Sequence, residues 1–188
     1  MGQPQSAPSD PHHDYARPDD PAADGRTWRA RLLAYNESGA NPLDLLPAYM
    51  LYAHQAYRHL VEAFGLGQVF ILSAGWGLIP ASFLTPKYDI TFSASAEPWQ
   101  RRRRSDPYQD FRIIPDDSEE LVFIGSKDYL PLFCRLSTTC RGVKTILYNA
   151  ARTPELPPDF RAVRFETGTR TNWHYEAAAA LVAGKVNL

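Results

Sequence analysis

The 188 residues, 44% of them hydrophobic and 22% charged, match the length of one domain and supply enough apolar side chains for a core. A formal net charge of -1 excludes polyanion binding by bulk charge, so any nucleic-acid partner must meet a local basic patch. Cys134 and Cys140 stand without a CxxC or a ligand-spaced His/Cys cluster, which argues against structural zinc and for a reducing, cytoplasmic setting.

Residues 1–26 carry five aspartates against two arginines, a balance of -3, which leaves +2 for the rest of the chain. This segment is rich in Pro, Asp, Ser and Ala and poor in large aliphatics, so it is expected to be a disordered acidic tail. It lacks the basic start and apolar core of a signal peptide. No apolar run approaches the roughly 20 residues of a membrane span. Residues 27–188 are expected to form a single α/β domain.

Thr27 is placed to cap a short helix through Tyr35. Leu43 to Phe64 reads as a longer helix, with Pro47 in its first turn and apolar residues at three- and four-residue spacing. Gly65 and Gly67 end it. The first strand is 68–73, followed by a long loop, 74–118. Glu120 to Gly125 is the second strand and 128–136 a helix. Val143 to Tyr148 is the third strand, 160–167 the fourth, and 172–183 an alanine-rich helix. Strands separated by helical segments predict a short, mostly parallel four-stranded sheet flanked by helices.

Three strand ends draw attention, because ligands of open α/β sheets sit outside the carboxyl ends of strands. The first is Ser73-Ala-Gly75-Trp76-Gly77, where two glycines permit a sharp turn or a close ligand approach and Trp76 reads as an aromatic on a mobile turn. The second is Gly125-Ser126-Lys127. The third is Asn149. Each also has a plainer reading as a turn or cap. Tyr88-Asp89 follows within the long loop. Asp89 reads either as a turn residue or as a carboxylate in a partly aromatic cavity, able to act on water or stabilise a developing cation. Arg101, Arg102, Arg103 and Arg104 form a basic run with Trp99, Tyr108 and Phe111 interleaved, the pattern of phosphate contacts with aromatic stacking. No phosphate-binding or dinucleotide fingerprint and no nucleophile elbow is present.

Residues 47–92, with Ile71-Leu-Ser-Ala-Gly-Trp-Gly-Leu-Ile79 and Tyr88-Asp-Ile-Thr91, resemble the YaaA-like superfamily. Its pattern is I-L-S-A-x-[aromatic]-G-L followed by P-Y-D-x-T; here Lys87 separates Pro86 from Tyr88. The resemblance covers about a quarter of the chain. It implies an α/β domain tied to DNA binding, base modification or repair, similar in layout to the three-layer uracil-DNA glycosylases. An anti-phage glycosylase acting on modified viral bases is the sharpest form of that implication. Asp106-Pro-Tyr108 lies much farther along the chain than the Asp-Pro-Tyr loop of those enzymes.

The expected function is therefore a DNA glycosylase that flips a base from the duplex and hydrolyses its N-glycosidic bond without metal or cofactor. Trp76 or Tyr88 would stack the base, with Ser73, Gly75 and Ser126 lining its pocket. Asn149 would read the base edge and Asp89 would supply the carboxylate. Arg101 to Arg104 and Lys127 would hold the DNA backbone. The alternatives are a non-catalytic DNA-binding module and a nucleotide or nucleoside hydrolase.

Overall fold

The computed structural model describes residues 16–98, 100–117, 120–169 and 171–188. The chain divides into two compact units, one ending at Ile113 and the other spanning Ile114–Leu188. The described residues are mixed α/β, with four α-helices and three small sheets. The expected four-stranded sandwich is not what forms.

In the first unit, α1 (Trp28–Ser38) begins at Thr27, whose hydroxyl accepts from the Ala30 N–H at 3.2 Å. Gly39, at φ 69°, ends it. The helix expected over 43–64 survives only as α2 (Ala56–Phe64). Three local features prevent an earlier start. Asp44 is left-handed at φ 50°. The Asn41 side chain brackets Leu45, bonding both its N–H and its carbonyl at 2.8 Å. Leu46 precedes Pro47 and so disfavours helical backbone. Leu46–Pro47 instead forms β1, paired antiparallel with β4 (Leu84–Thr85), and a 3-10 turn covers Ala48–Met50.

The segment 74–118 is not one long loop. β2 (Phe70–Ser73) and β3 (Gly77–Pro80) form a tight antiparallel hairpin, and β5 (Phe111–Arg112) pairs parallel with β3. Gly77 sits at φ 94°, and a Cβ there would overlap the Phe111 carbonyl oxygen. The glycine thus admits a neighbouring strand of the same chain rather than a ligand. The core of this unit gathers Trp28, Leu32, Leu51, Ile71, Trp76, Ile79, Phe83, Tyr88 and Phe111.

Ala16 and Ala22 join that core, so the segment 16–26 is packed against it rather than part of a tail disordered as far as residue 26; residues 1–15, with His12 and His13, lie outside the described residues. Ala16, Pro18 and Ala22 are buried. The Arg29 N–H donates to the Pro18 carbonyl at 2.6 Å and the Trp28 N–H to that of Asp20 at 3.0 Å. Arg26 first, and Arg31 with it, pull the Asp24 carboxyl down to about 2. That tie is present above the ordinary carboxyl value of 3.8 and is lost as pH falls towards 2. Deleting residues 1–26 should lower the thermal midpoint by roughly 10 °C, the scale of about 2 kcal/mol of packing and hydrogen bonds in a unit of this size. An unchanged midpoint on thermal denaturation would show that the segment is not part of the fold.

In the second unit, β6 (Glu120–Ile124), β7 (Val143–Tyr148) and β8 (Phe160–Arg164) form a fully parallel sheet in that order. α3 (Leu130–Ser137) links β6 to β7, with Pro131 in its first turn as expected. Its Phe133 stacks on Phe123 at 4.8 Å and meets Phe160 edge-on at 6.1 Å, so α3 covers that face of the sheet. Asn172, at φ 63°, precedes α4 (Trp173–Val182). Trp173 packs against Phe165 at 6.4 Å. Cys134 and Cys140 are both reduced thiols, and burial raises the Cys134 pKa. No described helix is long and apolar enough to cross a membrane.

Candidate functional site

The Ser73–Gly77 turn is a packed element. Ser73 is buried, and its hydroxyl accepts from the Gly75 N–H at 3.0 Å and the Trp76 N–H at 2.9 Å. This is the local side-chain-to-backbone bonding by which serine closes a turn. Trp76 is fully buried, edge-on to Trp28 at 6.5 Å and tilted on Phe111 at 6.4 Å. It is a core residue, not an aromatic on a mobile turn, and its ring has no face left for a flipped base. Tyr88 is buried as well, edge-on to Tyr52 at 6.3 Å. Gly75 faces it closely, since a Cβ there would lie 3.2 Å from the Tyr88 ring. The structure thus brings Ser73, Gly75, Trp76 and Tyr88 together in the packing of the hairpin.

The arginine run splits by direction. Arg101, Arg103 and Arg104 are exposed, whereas Arg102 is buried. The two terminal nitrogens of Arg102 donate to the two carboxylate oxygens of Asp110 at 2.6 and 2.7 Å, and Nη1 also donates to the Ala74 carbonyl at 2.9 Å. Its guanidinium lies 3.7 Å from the centre of the Tyr108 ring and 5.2 Å from that of Phe92. This forked, stacked geometry is one that arginine makes and lysine does not. Arg102 therefore fixes the hairpin turn and is not available to a phosphate. The interleaved rings are also spoken for: Phe111 is core, and the Tyr108 ring meets the guanidinium of Arg102 at 3.7 Å and that of Arg17 at 5.3 Å. Burial pushes the Tyr108 hydroxyl up to about 12, against the opposing pull of both arginines, so it stays neutral. Trp99 lies outside the described residues.

Asp89 is half-buried, next to the buried Tyr88 in the chain. Its segment runs alongside the arginine run: the Thr91 N–H donates to the Gln100 carbonyl and the Arg102 N–H to the Thr91 carbonyl, both at 2.9 Å. Gln100 Nε2 donates to Asp89 Oδ2. A half-buried carboxylate and the start of a three-arginine exposed strip are thereby held on one backbone ladder. The eleven-residue separation of Asp89 and Gln100 offers no sign of this in the sequence, and Gln100 carries no motif.

In the Ile114–Leu188 unit, parallel pairing of Ile124 with Leu147 sends the chain after β6 and after β7 out of the same sheet edge. Ser126 and Asn149 leave from that edge, with exposed Lys127. Ser126 Oγ accepts from the Asp128 N–H at 3.3 Å, the turn-forming reading. Asn149 Nδ2 donates to the Thr169 carbonyl at 3.3 Å. Glu176 in α4 accepts from the Thr167 and Thr169 hydroxyls, which lower its pKa. Among the described residues no cluster of three or more His, Cys, Asp or Glu is set to hold a metal. Comparison with protein-family models, with curated proteins and with solved structures finds no match to this chain.

Proposed function

We propose that this chain is a DNA glycosylase of the YaaA-like kind, in which Asp89 is the reacting carboxylate and Arg101, Arg103 and Arg104 hold the DNA backbone. The observation that carries this reading is the ladder joining Asp89, through Thr91, to Gln100 and the exposed arginines. In the step, the bond from C1′ to the base nitrogen breaks and its electron pair leaves with the base. Water adds to C1′ and its released proton ends on the departing base nitrogen, leaving an abasic sugar and the free base. Asp89 stabilises the positive charge that grows on the sugar and orients the water. A modified base is the preferred substrate. Asn149, Ser126 and Lys127 belong to the Ile114–Leu188 unit.

One observation favours a second reading, a DNA-binding module without chemistry. Ser73, Gly75, Trp76 and Gly77 are all consumed by packing, so the glycine turn is architectural. Either reading makes the arginines the DNA-binding residues. Replacing Arg101, Arg103 and Arg104 by glutamine should weaken duplex binding. It should also reduce the slope of log K against log salt by about 2–3, at about 0.9 for each phosphate no longer neutralised. A salt titration with an unchanged slope would remove the DNA assignment. Base release separates the two readings: the enzyme loses it on Asp89→Ala while still binding DNA, and the module never shows it.

A further inference from the structure

We propose that Gln100 is the positioning residue for Asp89, an inference that rests on Asp89 being the reacting carboxylate. Both ends of the Gln100 amide are engaged. Nε2 donates to Asp89 Oδ2, and Oε1 accepts from the Glu97 N–H at 3.3 Å. A flipped amide would face an oxygen to the carboxylate and an amino group to the backbone N–H, so the orientation is set by its two partners. The backbone of Gln100 is fixed too. Its carbonyl accepts from the Thr91 N–H at 2.9 Å and its N–H donates to the Glu97 carbonyl at 3.0 Å. Two residues on, Arg102 is anchored in the buried pair with Asp110. Asp89 is thus gripped at Oδ2, while Oδ1 has no hydrogen-bond partner among the described residues and is the oxygen left for water or sugar. Gln100 does not touch the reacting atoms; it holds the carboxylate that does.

The test compares the full-length wild-type protein with Gln100→Met, Gln100→Glu and Asp89→Asn. Each is measured for abasic-site formation, duplex DNA affinity and thermal midpoint. Gln100→Met removes the donor and should lower base release about tenfold, the value of one hydrogen bond to a charged group, with DNA affinity within about twofold. Gln100→Glu keeps the size and the acceptor for Glu97 but sets a second carboxylate against Asp89, so it should be the more damaged of the two. A merely space-filling role predicts the opposite order, with the glutamate variant the milder. That reversed order, or full activity in both variants beside an inactive Asp89→Asn, overturns the positioning role alone. If methionine prevents folding, the glutamate variant decides by itself: activity per folded molecule equal to wild type overturns the proposal. Wild-type protein that releases no base from any DNA overturns the reading of Asp89 beneath it.

Discussion

Asp89→Asn protein should fold, bind DNA and lose base release by at least about two orders of magnitude. The substitution keeps the size of the side chain and can still hold a hydrogen bond to Gln100, but it removes the charge. Breaking an N-glycosidic bond builds positive charge on the sugar, and a fixed carboxylate in a half-buried place acts on that charge more strongly than one in bulk water. A loss on the order of 100-fold matches one electrostatic or acid–base contribution. If Asp89 only shapes the turn after Tyr88, the same variant loses stability and keeps its activity per folded molecule. Thermal midpoint and abasic-site yield, measured on one preparation, separate the two outcomes.

The largest stability effect is expected at Arg102. Arg102→Met should cost about 3–5 kcal/mol, because it leaves the Asp110 carboxylate buried without the guanidinium that both of its oxygens accept from. The Asp110 side chain is 0% exposed and that of Arg102 4%, so water does not replace the missing guanidinium in place. The thermal midpoint should fall by roughly 15–25 °C. Arg101→Gln, one residue away and exposed, should stay within about 0.5 kcal/mol of wild type. Thermal or urea unfolding of the two variants checks this directly. Similar midpoints would mean that the buried pair does not hold the hairpin turn.

Local signals were readable where a short segment determines its own conformation. Thr27 as a helix cap, Pro131 inside a first turn, Gly65 after α2 and Val143–Tyr148 as a strand were all legible in the residues. Long-range packing was not. The 3.6-residue spacing over 43–64 suggested one helix, yet pre-proline geometry at Leu46 and the left-handed Asp44 broke it. The two glycines around Trp76 looked like a ligand loop, because their partner strand, Phe111–Arg112, lies more than thirty residues away. Four identical arginines look equivalent on paper. Only the fold reveals that the second points at Asp110 while its neighbours face solvent. The acidic composition of residues 1–26 suggested a free tail, but three small apolar residues within 16–26 are enough to seat that part. At the candidate site, Asp89 and the basic run were each visible in the sequence. Their connection through Thr91 and Gln100 was not, because main-chain ladders between irregular segments leave no compositional trace.

Base excision by this chain is tested most directly by incubating the protein with DNA from several sources, including hypermodified phage DNA, and then cleaving with alkali to reveal abasic sites. Wild-type protein should give strand breaks and free base from at least one DNA, and Asp89→Asn protein should give neither. DNA that is bound but carries no abasic sites on any substrate would contradict excision and leave a binding module in place of an enzyme.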